Sequence, residues 1–182
     1  MKHILLVSFA AWTLVACQQS STVRDSAAGD VYRNVEGASL VLNQDLRVAA
    51  GKARVFVQDG AVVSGFNSYK PHCAFEIDSV RHDGFAIQAD TFAISRVQAS
   101  TQQVVSAEPV RLAALLLADG MGDGGGGSSS YYEGYHFWLT SANQPNVRRM
   151  SCYGVYAQPY ELYPPTLEEI RQLLGEIAEI RQ

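Results

Sequence analysis

The 182-residue chain carries a formal net charge of −4, with 47% hydrophobic and 18% charged residues, a balance that points to a globular protein rather than a disordered one. Its longest basic cluster outside the first residues is Arg148-Arg149, which argues against nucleic-acid binding and against a polybasic lipid-binding surface.

Met1-Lys2-His3 forms a short basic start, and Ile4 to Ala16 then runs apolar with only Ser8 and Thr13 as interruptions. That is the layout of an export signal. The stretch is shorter than the roughly 20 residues of a spanning helix, and Gln18-Gln19-Ser20-Ser21 follows without a basic stop-transfer flank. Leu14-Val15-Ala16-Cys17 resembles the lipobox of bacterial lipoproteins, with a large aliphatic residue three before the cysteine and a small one just before it. The resemblance implies a signal peptide over 1–16, cleavage before Cys17, and acylation of that cysteine. Diacylglycerol and an amide-linked chain supply the two signals that stable anchoring requires. It further implies outer-membrane sorting, because Gln18 stands where an Asp would signal inner-membrane retention. Ordinary secretory cleavage, leaving Cys17 as a plain thiol, is the alternative.

Loss of residues 1–16 leaves 166 residues with a charge of −5, a length that one domain accommodates. Residues 17–36 are Gln-, Ser-, Thr-, Asp-, Ala- and Gly-rich with little apolar periodicity and are expected to form an acylated flexible tether. A single β-rich periplasmic domain is expected over 37–182. With Cys17 assigned to lipid, Cys73 and Cys152 remain as a pair, expected to be a disulfide in an oxidising compartment. A redox or metal role for these thiols is the alternative, although the chain has no Cys-x-x-Cys.

Arg54 to Gln58 and Ala61 to Phe66 flank Asp59-Gly60, a type I′ hairpin signature that sets Val57 opposite Val62 and Phe56 opposite Val63. Cys73, Phe75 and Ile77 alternate with Ala74, Glu76 and Asp78, placing the cysteine on the inward face. Asp83-Gly84 predicts a further turn, followed by inward Phe85, Ile87, Phe92 and Ile94. The largely apolar run 110–118 fits either helix or strand, with strand preferred from its position among strands. Asp119 to Tyr132 contains Gly124 to Gly127 and Ser128 to Ser130 but lacks a Gly-Lys-Ser/Thr ending, so it is expected to be a loop rather than a phosphate cradle. Tyr135 to Thr140 alternates as a strand, Asn143 to Asn146 turns, and Val147 to Tyr153 returns with Cys152.

Pro164-Pro165-Thr166 ends the strand pattern, and Thr166 with Glu169 forms a capping box. Leu167, Ile170, Leu173, Leu174 and Ile177 make one apolar stripe, predicting a helix over 166–181. The expected fold is mainly β, an antiparallel sandwich or barrel-like meander with one C-terminal helix and a disulfide.

No catalytic, cofactor or metal motif stands out. His72, His82 and His136 lie on separate elements, and an enzyme or small-molecule binder would need them gathered in one cleft with acids such as Asp78 or Asp83. Tyr131, Tyr132, Tyr135 and Trp138 beside the glycine-rich loop offer large contact area at low entropy cost. They are the expected partner contact for an envelope protein or glycan; capping of the β core is the other reading. The lipobox, Gly51-Lys52-Ala53-Arg54 leading to Gln58-Asp59-Gly60, Tyr69-Lys70-Pro71-His72-Cys73, and Gln144-Pro145-Asn146-Val147 leading to Cys152 together resemble a group of uncharacterised proteobacterial lipoproteins of the outer-membrane type. That resemblance spans most of the mature chain and implies envelope location and a shared disulfide, with no reaction to transfer. Ser64-Gly65-Phe66-Asn67-Ser68-Tyr69 is similar to the Ser-Gly-x-x-Tyr element of lipoprotein lysozyme inhibitors, with the tyrosine one residue too far along. These features predict a non-enzymatic, membrane-anchored binding or scaffolding module without cofactor.

Overall fold

The computed structural model describes residues 21–26, 31–104 and 130–182. The signal segment, Cys17, the run 110–118 and the glycine loop up to 129 lie outside them. Among the described residues the strands are β1 (Thr22–Arg24), β2 (Tyr32–Asn34), β3 (Ser39–Leu42), β4 (Leu46–Val48), β5 (Arg54–Gln58), β6 (Ala61–Val63), β7 (His72–Ile77), β8 (Phe85–Ile87), β9 (Asp90–Val104), β10 (Ser130–Thr140), β11 (Val147–Tyr153) and β12 (Ala178–Arg181). The helix α1 covers Leu167–Leu174. Eight strands form one antiparallel sheet in the order β12-β3-β9-β10-β11-β7-β5-β6, curled into a half-barrel.

The hairpin at Asp59-Gly60 has the expected register, with Val57 opposite Val62 and Phe56 opposite Val63. Asp59 and Gly60 both take positive φ, as a type I′ turn requires. Cys73 and Cys152 are direct cross-strand partners on β7 and β11 and form the disulfide, fully buried in the core.

One face of the curled sheet carries the core: Val55, Val57, Phe75, Ile94, Val97, Phe137 and Met150 are all buried. The helix lies on it, contacting β5 and β7 near one end of the sheet and β12 at the other, so the sheet wraps around α1. Leu167, Ile170, Leu173 and Leu174 supply its buried stripe, and the Thr166–Glu169 capping box starts it.

Two expectations are corrected. The helix ends at Leu174 rather than near 181, because Gly175 takes φ +54 and the period then changes. Ala178 and Ile180 are buried while Glu179 and Arg181 are exposed, a two-residue alternation that makes β12 pair with β3. Ile177, buried in the bend before β12, falls at the spacing that continues the helical stripe, which is why the stripe reads longer than the helix. The tether expected over 17–36 is also shortened. Thr22–Arg24 pairs with Tyr32–Asn34, Val23 is fully buried, and the Ser21 hydroxyl accepts from the Val97 backbone N–H. Small alternating segments with one apolar residue each carry too little periodicity to announce such pairing.

Candidate functional site

The outer face of the sheet follows from the same alternation that fills the core. Between the inward residues of β5, β7, β11, β10 and β9 lie Arg54, Glu76, Arg149, Trp138 and Arg96, joined into one cross-strand row by the register. The adjacent row holds Phe56, Ala74, Ser151, His136 and Gln98. A charged residue on β7, whose six residues are all buried, requires a partner. Glu76 has two: Arg149 Nε donates to Oε2 at 2.9 Å and the Ser151 hydroxyl donates to Oε1 at 2.9 Å.

His136 Nδ1 sits 2.8 Å from the Ser151 oxygen. The single hydroxyl proton of Ser151 is committed to Glu76, so the Ser151 oxygen accepts and His136 Nδ1 carries the hydrogen. This assigns the tautomer from the network and leaves Nε2 as an acceptor. Burial, and then the positive charge of Arg149, hold the His136 imidazole below its ordinary range, keeping it neutral near pH 7.

These groups line a cleft of about 240 Å³ with Arg54, Ser100, Thr101, Gln102 and Tyr153. Tyr153 is held by its hydroxyl, 3.3 Å from that of Ser100, and by Gly134. A Cβ at Gly134 would overlap the Cys152 carbonyl and stand 2.8 Å from the Tyr153 ring, so only glycine lets that ring lie against β10. Beside the cleft, the Trp138 indole is surrounded by three guanidinium groups, Arg96 at 4.8 Å and Arg148 and Arg149 at 5.3 Å. Such contacts contribute on the order of 0.5–1 kcal/mol each where exposed.

The tyrosines expected to join Trp138 in partner contact lie elsewhere. Tyr131 and Tyr132 belong to β10 rather than to a loop. Tyr132 is buried in a ring cluster with Phe66, His72, Tyr153 and Tyr156. Tyr135 is buried on the core side, where its hydroxyl accepts from Arg24 N–H at 3.1 Å. Tyr131 is half-buried, its backbone bonded to that of Ala157. Trp138 alone of the four stands among charged side chains, while Tyr132 packs in the ring cluster and Tyr135 in the core.

The histidine–aspartate cleft is not assembled either. His72 is buried at the start of β7, stacked 3.7 Å from Phe66, while Asp78 lies just past its far end and is exposed, as are His82 and Asp83. Among the described residues no group of three or more His, Cys, Asp or Glu is placed to hold a metal, and no helix is long and apolar enough to cross a membrane. A second cleft, about 450 Å³, lies between Arg24, Tyr163, Pro164, Pro165 and Glu169. Its Glu169 is engaged in the helix cap.

Sequence reasoning did not connect Arg54, Glu76, Arg149 and Ser151, although Glu76 within His72–Ile77 was the visible signal of a paired interior charge. Comparison of the chain with protein-family models, with curated proteins and with solved structures found no match.

Proposed function

We propose that the chain is a lipid-anchored bacterial envelope protein, cut before Cys17 and acylated there, that serves as a non-enzymatic binding or scaffolding module for another envelope component. The anchoring half of this reading rests on Leu14-Val15-Ala16-Cys17 and Gln18. The binding half rests on one observation, the outer face where Arg96, Arg148 and Arg149 surround Trp138. On a chain with a net charge of −4, this basic and aromatic concentration favours an anionic partner, because local potential rather than overall charge steers encounter.

The hydrogen-bonded order of Glu76, Ser151 and His136 supports binding over hydrolysis. A serine nucleophile would give its proton to the imidazole, whereas Ser151 is fully buried and gives its proton to Glu76. In this reading the membrane is a partner through the lipid, an envelope protein or glycan is the partner of the outer face, and no cofactor takes part.

Crosslinking in intact cells followed by affinity recovery tests both halves. The wild type is expected to recover a specific envelope component that is lost from the unanchored Cys17→Ser chain and reduced at least tenfold in Trp138→Ala/Arg148→Glu. Equal recovery by all three would overturn the proposal.

A further inference from the structure

Resting on that binding reading, we infer that the cleft bounded by Arg54, His136 and Tyr153 is a subsite for a uronic acid residue, a sugar ring bearing one carboxylate and free hydroxyls. The argument starts from the donors and acceptors left over once the internal network is complete. Arg149 and Ser151 are turned toward Glu76. Arg54 lines the cleft, is exposed, and makes no ion pair among the described residues. Its planar fork matches a carboxylate through two parallel N–H···O bonds.

Charge selects between anions. The charged residues lining the cleft are Arg54, Arg149 and Glu76, giving a net of one positive charge that a monoanion neutralises. A phosphate dianion would leave excess negative charge facing Glu76.

Hydrogen-bond polarity adds a second requirement. With His136 Nδ1–H fixed on Ser151, Nε2 offers a lone pair, and an anion made only of acceptor oxygens would meet it lone pair to lone pair. The ligand therefore needs a hydroxyl donor near its carboxylate. Ser100, Thr101 and Gln102 along the rim provide further polar partners, suited to several hydroxyls. The cleft, at about 240 Å³, falls below the range of roughly 300–1,000 Å³ that holds drug-sized ligands. That size and lining fit one sugar residue better than a lipid chain.

The test uses the full-length protein in detergent, titrated with sodium D-glucuronate, D-glucose, D-glycerate and inorganic phosphate while the His136 imidazole signals are followed by NMR. Glucuronate is expected to move the His136 Nε2 resonance with a dissociation constant of about 1 mM, a value in keeping with a single-residue contact, and at least tenfold tighter than the other three probes. Arg54→Gln, an exposed substitution, is expected to weaken glucuronate at least tenfold with thermal stability unchanged. Equal binding of glucose would remove the role of Arg54, equal binding of phosphate the selection for a monoanion, and equal binding of glycerate the sugar ring; each overturns the assignment. Absence of glucuronate binding overturns it as well. If in-cell recovery still depends on Trp138 and Arg148 in that case, only the subsite fails and the envelope-binding reading stands.

Discussion

His72 combines an apolar environment with a titratable ring. It stacks on Phe66 at 3.7 Å and meets Tyr132 edge-on at 5.4 Å, and its Nδ1 is buried without a hydrogen-bond partner among the described residues. Burial, partly offset by a backbone hydrogen bond to Lys70, pulls its pKa from 6.5 down to about 4. Between those values the unfolded chain binds a proton that the folded chain refuses, so stability is lost as pH falls from about 6.5 to 4 and the loss levels off below. The shift corresponds to at most about 3 kcal/mol. His72→Phe keeps the stack without the charge, and urea unfolding across pH 4–7 is expected to show a flatter profile than wild type. An unchanged profile would place the pH dependence elsewhere. The same alternation that sends Cys73 inward sends His72 to the opposite face, into the ring cluster. Glu76 was legible as a charge in an apolar strand; its partners Arg149 and Ser151 were not, because they lie more than 70 residues away and only the register brings them together.

Two glycines bring together the β5–β6 turn and the end of α1, elements that sequence reading treated separately. The β5–β6 turn reaches the end of α1, where Gly60 N–H donates to Leu173 carbonyl at 3.0 Å. A Cβ on Gly175 would stand 2.9 Å from Gly60 Cα. Gly175 also sits at φ +54 and ψ −130, a region that costs a side chain on the order of 1–3 kcal/mol. Gly175→Ala is therefore expected to destabilise by roughly 2–4 kcal/mol, the strain adding to displacement of the hairpin. Gly65→Ala is the control: nothing lies within 4 Å of its Cβ position, and its effect should stay within about 0.5 kcal/mol. Equal midpoints in urea for the two variants would show that the contact does not hold the sheet closed. The turn at Asp59-Gly60, the strand alternation and the helix cap were readable because each is a local pattern, and the disulfide pair, 79 residues apart, because Cys73 and Cys152 are the cysteines left once Cys17 is assigned to lipid. The end of the helix was not, since Ile177 keeps the helical spacing although it sits in the bend that follows Gly175.

At the scale of the whole molecule, the docking of β1 changes how a lipid on Cys17 would hold the domain. Ser21 is buried and bonded to the Val97 N–H, so four chain steps separate it from Cys17, a span of at most about 14 Å. A flexible tether of 20 residues would have an average reach of about 25 Å and a much longer limit. The proposed anchor therefore keeps the domain against the membrane and restricts the outer face to partners near the bilayer. Without residues 1–16 the chain retains a single tryptophan, Trp138, three positions along β10 from Tyr135, whose hydroxyl holds β1 at Arg24. In vesicles carrying dansyl-labelled lipid, the acylated protein is expected to transfer energy efficiently from Trp138. Inserting 20 Gly/Ser residues between Ser20 and Ser21 should reduce that transfer severalfold while leaving the fold intact. Transfer indifferent to the insertion would mean that the segment before β1 already moves freely from the sheet, and the distance constraint on the partner would be lifted with it.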